Sequence, residues 1–184
     1  MKYSIETPLT KEIIREFRAG DIVNISGVVY AARDAAHKKM INLINEGKSL
    51  PFDLRGQIIY YVGPCPARSG EVIGSAGPTT SSRMDAYAPK LIELGLNGMI
   101  GKGLRSDAVV SSMKKYGAVY FGAIGGAGAL IAQAIINEEL IAFPELGAEA
   151  IRKLTVKDFP VTVIIDSFGN DLYKLGREKF KLNF

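Results

Sequence analysis

The sequence has one cysteine and one histidine in 184 residues. A lone thiol, Cys65, cannot close an internal disulfide and cannot hold a metal cluster by itself. Set in Val62-Gly63-Pro64-Cys65-Pro66, it reads as part of a structural turn, with a reactive thiol as the alternative. His37 reads as a capping or hydrogen-bonding residue ahead of a catalytic one. Basic clustering is also missing. The net charge of +4 is a diffuse excess, with no run of five basic residues and no basic–aromatic ladder, so nucleic acid is not an expected partner. Met1 to Glu6 lacks the apolar core of a signal peptide, and a cytoplasmic location is expected. The uncharged span from Gly117 to Asn137 is long enough to cross a bilayer and contains the small-xxx-small pattern Gly122-Ala123-Ile124-Gly125-Gly126. Five glycines make it a poor continuous helix, and it reads instead as strand, loop and buried helix.

Apolar residues make up 47% of the chain and charged residues 23%, the balance of one well-buried domain over residues 1–184. Hydrophobic spacing predicts a strand over 1–8, then a helix capped by Thr10 and closing near Gly20. A strand over 21–30 follows, with a bulge at Gly27, and then a helix ending at Gly47. Further strands are predicted over 56–62, 98–101, 118–123 and 160–167. Helices are predicted over 87–94, after Ser106, and over 129–136. Ala150, Ile151 and Leu154 fit a short helix or extended chain, and Leu172-Tyr173 a returning strand. The fold class is α/β. Because its strands are both alternating and fully apolar, a mixed sheet with flanking helices is expected.

The stretch Gly74-Ser75-Ala76-Gly77-Pro78-Thr79-Thr80-Ser81-Ser82-Arg83 contains nothing bulky and apolar, so it cannot be core. Gly77-Pro78 forces a turn. A hydroxyl-rich turn running into a helix aims backbone N–H groups at one spot, and Arg83 adds a planar fork suited to carboxylate or phosphate. An ordinary capped turn with a solvated arginine is the alternative. Three more segments share this design: Arg33-Asp34 with His37, Gly101-Lys102-Gly103, and Gly125-Gly126-Ala127-Gly128. All four fall at strand exits, where open α/β sheets place ligands. Arg33, Arg83, Lys102 and the hydroxyls of Thr79 and Thr80 together suit a small dianion such as a dicarboxylate. Each has a plainer reading: Arg33 and Asp34 as a surface pair of little worth, Lys102 as a turn lysine. The glycine loop matches neither a Walker motif nor G-x-G-x-x-G, so nucleotide binding is not indicated.

Four ordered segments now stand together: 20–27 with 32–37, Gly77 to Asp85, Ile100 to Gly103, and Gly125 to Ala127. In this order they resemble the β subunit of class I iron–sulfur fumarases and L(+)-tartrate dehydratases, equivalent to the C-terminal domain of the single-chain enzymes. The resemblance spans nearly the whole chain. It implies a swivelling β/β/α fold and a heteromeric hydro-lyase interconverting L-malate and fumarate, or dehydrating tartrate. Its [4Fe-4S] cluster would be held by the partner α subunit and no metal by this chain. By the family pattern Arg33, Arg83 and Lys102, with Thr80, bind substrate carboxylates, and Thr79 acts near the proton removed. Asp34, His37, Gly125 and Gly126 are supporting positions. In such a reaction an open iron site takes the hydroxide, and cationic clamps stabilise the charge left behind. Ser82 and Leu104 depart from the pattern without removing a charge, so activity is expected to survive them. A non-catalytic anion-binding or assembly module is the reading from another class.

Overall fold

The computed structural model describes residues 1–181. Strands β1 (Lys2–Glu6), β2 (Ile22–Ala31), β3 (Ile58–Tyr60), β4 (Gly98–Gly101) and β5 (Val119–Gly122) run parallel to one another. The long strand β7 (Ile151–Ile165) runs antiparallel to both β5 and β2, and β6 (Ile135–Ala142) pairs with its outer part. The sheet is therefore mixed, as its strand patterns imply. Because β7 bonds to β5 on one side and β2 on the other, the pairings β2-β3-β4-β5-β7 close into a ring. Closure leaves no open edge within the ring, and β1 and β6 remain as strands paired on one side.

Side chains alternate between the two faces of this ring and form two apolar cores. Val23, Ile25, Val29, Tyr60, Ile100, Phe121, Phe159 and Val163 fill the inside. Helix α1 (Lys11–Glu16) is begun by the Thr10 side chain, which accepts from the Ile13 N–H, and it sends Ile14 and Phe17 into that interior. Phe17 meets Phe121 edge-on at 5.8 Å between ring centres. Burying a side chain of this size is worth about 1.5–3 kcal/mol. Ile59, Tyr61, Met99, Tyr120 and Ile164 point outward, under α2 (Asp34–Asn45), α3 (Ala88–Glu93) and α4 (Asp107–Tyr116). Gly117, left-handed at φ 70°, ends α4 with Lys114 and Lys115 in its last turn.

Four local expectations are corrected. The expected helix over 129–136 is a short one, α5 (Gly128–Ala132), and Ile135 already belongs to β6. Ile151 and Leu154 take the extended alternative, and they are not separate from the strand expected over 160–167: β7 runs unbroken from Ile151 through Lys157 and Asp158 to Ile165. The sheet irregularity lies beside Gly27, but the extra residue sits on β7: the register passes from Ile25↔Phe159 to Gly27↔Val156. There Asp158 takes φ 51° and its N–H donates to Ser26 Oγ at 3.1 Å. Finally, Leu172-Tyr173 does not return as strand. Asp171 accepts from the Tyr173 N–H at 2.9 Å and caps helix α6 (Leu172–Lys179).

Candidate active site

The parallel strands β2 to β5 all finish at one edge, and each hands the chain to one of the segments singled out in the sequence. After β2, Arg33 occupies the N-cap position of α2 in extended conformation. Its Nη2 lies 3.3 Å from Glu149 Oε1 and 3.8 Å from Asp34 Oδ2. Glu149 Oε2 in turn accepts from the Ala35 N–H at 3.0 Å. The guanidinium lies over Gly63, where an added Cβ would sit 2.7 Å from Arg33 Nη1. Arg33 Nε is buried with no hydrogen-bond partner, and so is Asp34 Oδ2.

Residues 74–83 lie beside this corner. The Thr79 N–H donates to the Tyr61 carbonyl at 2.7 Å as the chain passes the end of β3. Thr80 and Lys102 form a parallel bridge, with the Ser81 N–H on the Lys102 carbonyl at 2.8 Å and the Lys102 N–H on the Thr79 carbonyl at 3.3 Å. The approach is so close that a Cβ on Gly101 would collide with Ser81 Oγ. A single 3₁₀ turn, Ser81–Met84, carries Arg83, whose Nε donates to Asp34 Oδ1 at 2.8 Å. Asp34 thus faces both guanidinium groups.

Lys102 has no carboxylate partner among the described residues, unlike Arg33 and Arg83. Its Nζ lies 3.7 Å from where a Cβ of Gly125 would be, so the glycine loop borders the amine. Gly125 and Gly126 are exposed, and Gly128 is buried against the first turn, its carbonyl accepting from the Ala76 N–H at 3.0 Å. Arg33, Arg83, Lys102, Thr79, Thr80, Asp34 and the glycine loop therefore form one continuous corner. The helix expected over 87–94 is present as α3, but a 3₁₀ turn separates it from the Gly77-Pro78 turn, and α5 has 5 residues, so neither helix start is placed directly after its glycine turn as a long helix. Side-chain cations carry the positive charge of this corner.

His37 lies beneath the corner. It is fully buried, with its ring edge-on to Tyr61 at 5.4 Å. Nδ1 donates to the Arg33 carbonyl at 2.8 Å, which leaves Nε2 bare and without a partner. Burial, opposed by that hydrogen bond, drives the imidazole down to about 4, so it is neutral near pH 7. Cys65 is exposed, and the backbone around it is closed by Cys65 N–H to Ser75 carbonyl and Gly74 N–H to Cys65 carbonyl, a structural turn. Among the described residues no three His, Cys, Asp or Glu side chains gather as a metal site. Glu149 belongs to no segment singled out in the sequence, and Gly63 was read only as part of the turn around Cys65, because both lie far along the chain from Arg33.

Fold and corner together define an α/β domain that presents three cations and glycine-rich turns at one edge of its parallel strands. Residues 1–176 match the family described as Fumarase C-terminus, and the chain belongs to that family. It is 39% identical to the anaerobic class I fumarate hydratase of Escherichia coli (strain K12), over 95% of this chain and 32% of that protein. It is 37% identical to fumarate hydratase 2 of Leishmania major, over 94% of this chain and 31% of that protein. A Methanocaldococcus jannaschii protein provisionally named L(+)-tartrate dehydratase subunit beta is 38% identical, over 100% of this chain and 97% of its own length. The chain thus spans about a third of the fumarases it matches and nearly all of the archaeal subunit. No helix of the described residues is long and apolar enough to cross a membrane.

Proposed function

We propose that this chain is the β subunit of a hydro-lyase interconverting L-malate and fumarate, supplying the carboxylate-binding half of a site completed by an α subunit. The observation that carries the reading is the convergence of Arg33, Arg83 and Lys102 on one edge, with Arg33 Nε buried and unpartnered. Three cations share only two carboxylates, Asp34 and Glu149, so the corner keeps a net positive charge that an anion would neutralise. The residues of this chain do not fit a [4Fe-4S] cluster, since Cys65 is the only thiol and it is exposed. We therefore assign the cluster to the α subunit, in paired αβ units in the cytoplasm.

In this reading Arg33 and Arg83, aligned by Asp34, and Lys102 take the two carboxylates of the substrate. When the proton beside one carboxylate leaves, negative charge builds on that carboxylate, and a preorganised cation there lowers the barrier. Thr79, next to the Thr80–Lys102 bridge in the chain, takes that proton in this reading, as an alkoxide that a neighbouring cation would favour. Arg83→Ala removes one charge-assisted hydrogen bond, worth about 1.5–3 kcal/mol, so kcat/KM of the reconstituted complex should fall ~10- to 100-fold. The test is to purify the chain with its cysteine-bearing partner and assay wild type and Arg83→Ala, checking cluster content separately. Full activity in Arg83→Ala with weakened assembly would favour the non-catalytic module. Robust hydration by this chain alone would refute the shared site.

The near-full-length match to the tartrate dehydratase subunit favours a second substrate reading, dehydration of L(+)-tartrate. Comparing malate and tartrate turnover by the same complex decides between them.

A further inference from the structure

Beneath the corner lies a charge pair whose cation, Arg105, is fully buried and whose anion, Asp85, is mostly so. The Arg105 side chain is fully shielded from solvent, an unusual place for a guanidinium. Its Nε donates to Asp85 Oδ1 at 2.7 Å, and Nη2 reaches Tyr61 Oη at 3.4 Å. The guanidinium carbon lies 5.3 Å from the Tyr61 ring centre and 5.0 Å from that of Tyr120. Asp85 Oδ2 also accepts from the Ser106 N–H at 2.6 Å. Tyr120 extends the connection: its hydroxyl donates to the Gly103 carbonyl at 3.0 Å and lies 2.8 Å from Ser81 Oγ.

The positions in the chain give this cluster its meaning. Asp85 closes the 3₁₀ turn that carries Arg83, and Arg105 follows Lys102 by one short loop. Tyr61 is the residue whose carbonyl holds Thr79. Each member of the network is thus tied to a segment bearing a proposed substrate group. A buried ion pair is a weak source of net stability, because desolvation offsets most of its attraction, so its presence calls for another explanation.

We propose that the Asp85–Arg105 pair, with the Tyr120 hydroxyl, is a positioning device that sets the Thr79–Arg83 turn against Lys102. The device rests on the reading above for its catalytic meaning, but its structural effect can be measured without it. It acts through the Ser81–Lys102 and Lys102–Thr79 backbone bonds, which make up the Thr80–Lys102 bridge. A slip of about 1 Å in such groups can cost ~100-fold in rate.

The test uses two variants of the full chain. Asp85→Asn with Arg105→Met removes both charges at similar volume, which preserves folding where a single change would strand a buried charge. Tyr120→Phe removes only the hydroxyl and is the backup if the double variant does not fold. In each folded variant, hydrogen exchange at the Ser81 and Lys102 amides should speed up ~10-fold or more, while the Ile100 and Phe121 amides keep wild-type protection. In the complex with the partner, kcat should fall ~10- to 100-fold and KM should rise in the double variant, with a smaller loss in Tyr120→Phe. Unchanged exchange at both amides, or faster exchange with wild-type kcat and KM, overturns the proposal. An inactive wild-type complex would count against the functional reading alone, because exchange still decides whether the pair sets the turn.

Discussion

Gly128 gives a prediction whose sign depends on tertiary contact. It is the first residue of α5. On local grounds Gly128→Ala should stabilise the chain by up to about 1 kcal/mol, the helix-propensity difference. The contact reverses this. A Cβ there would sit 2.5 Å from Ser75 Oγ and 2.8 Å from the backbone nitrogen of Gly77. Backbone cannot swing aside as a side chain can, so the turn at Gly77 and the glycine loop must separate. Overpacking of this kind costs about 1–3 kcal/mol. Losing the Ala76 N–H to Gly128 carbonyl bond, 3.0 Å in the native chain, adds about 1 kcal/mol. The net expectation is a loss of about 2 kcal/mol, or ~4–8 °C in Tm for a domain of this size. Gly176→Ala is the control: it lies within α6 with nothing inside 4 Å of the added carbon, and should raise stability by about 0.5–1 kcal/mol. Thermal unfolding followed by circular dichroism reads both. A Gly128→Ala chain as stable as wild type, or more so, would refute the close packing of the two glycine segments.

Three other outcomes follow from the same geometry. His37 is neutral in the fold down to about 4 but protonates near 6.5 when unfolded, so between those values the unfolded chain binds more protons and stability falls as pH falls. The loss amounts to about 2 kcal/mol at about pH 5. In urea titrations His37→Gln should lose less stability than wild type between about pH 7 and pH 5, and equal slopes would contradict the burial argument. Gly101→Ala drives a Cβ into Ser81 Oγ and 3.0 Å from Tyr61 Cδ2, and should lower Tm by ~4–8 °C. Adding Ser81→Ala should recover part of that, and strict additivity of the two changes would count against the contact. Gly63→Ala brings a Cβ 2.7 Å from Arg33 Nη1, 2.9 Å from its Cδ and 3.3 Å from the Ala148 carbonyl, and should cost about 1–3 kcal/mol, a loss that leaves the chain folded. Displacing that guanidinium should nevertheless raise KM for the dicarboxylate in the complex, and an unchanged KM would remove Arg33 from substrate binding.

Much of the architecture is legible in local residue order. Thr10 caps α1, Gly117 ends α4, and the apolar runs at 22–31, 98–101 and 119–122 are strands whose exits bear the polar segments. These features depend on neighbours a few residues apart, so composition and spacing reveal them. β6 and the start of β7 were less clear: Ile135 to Ala142 carries no clean alternation, and it becomes strand because residues 151–156 lie alongside it. α6 was hidden by the brevity of Leu172-Tyr173, although Asp171 was a usable cap signal.

The four segments and the charged residues in them are properties of the chain alone, since residue type and local conformation suffice to specify each. Which of them touch is a tertiary matter. Closure of the ring by β7, the sharing of Asp34 between Arg33 and Arg83, the approach of Glu149 to Arg33, and the burial of Arg105 against Asp85 all join residues far apart in sequence. Spacing along the chain carries no record of such pairs, because their partners meet only after the strands have closed and brought distant segments together.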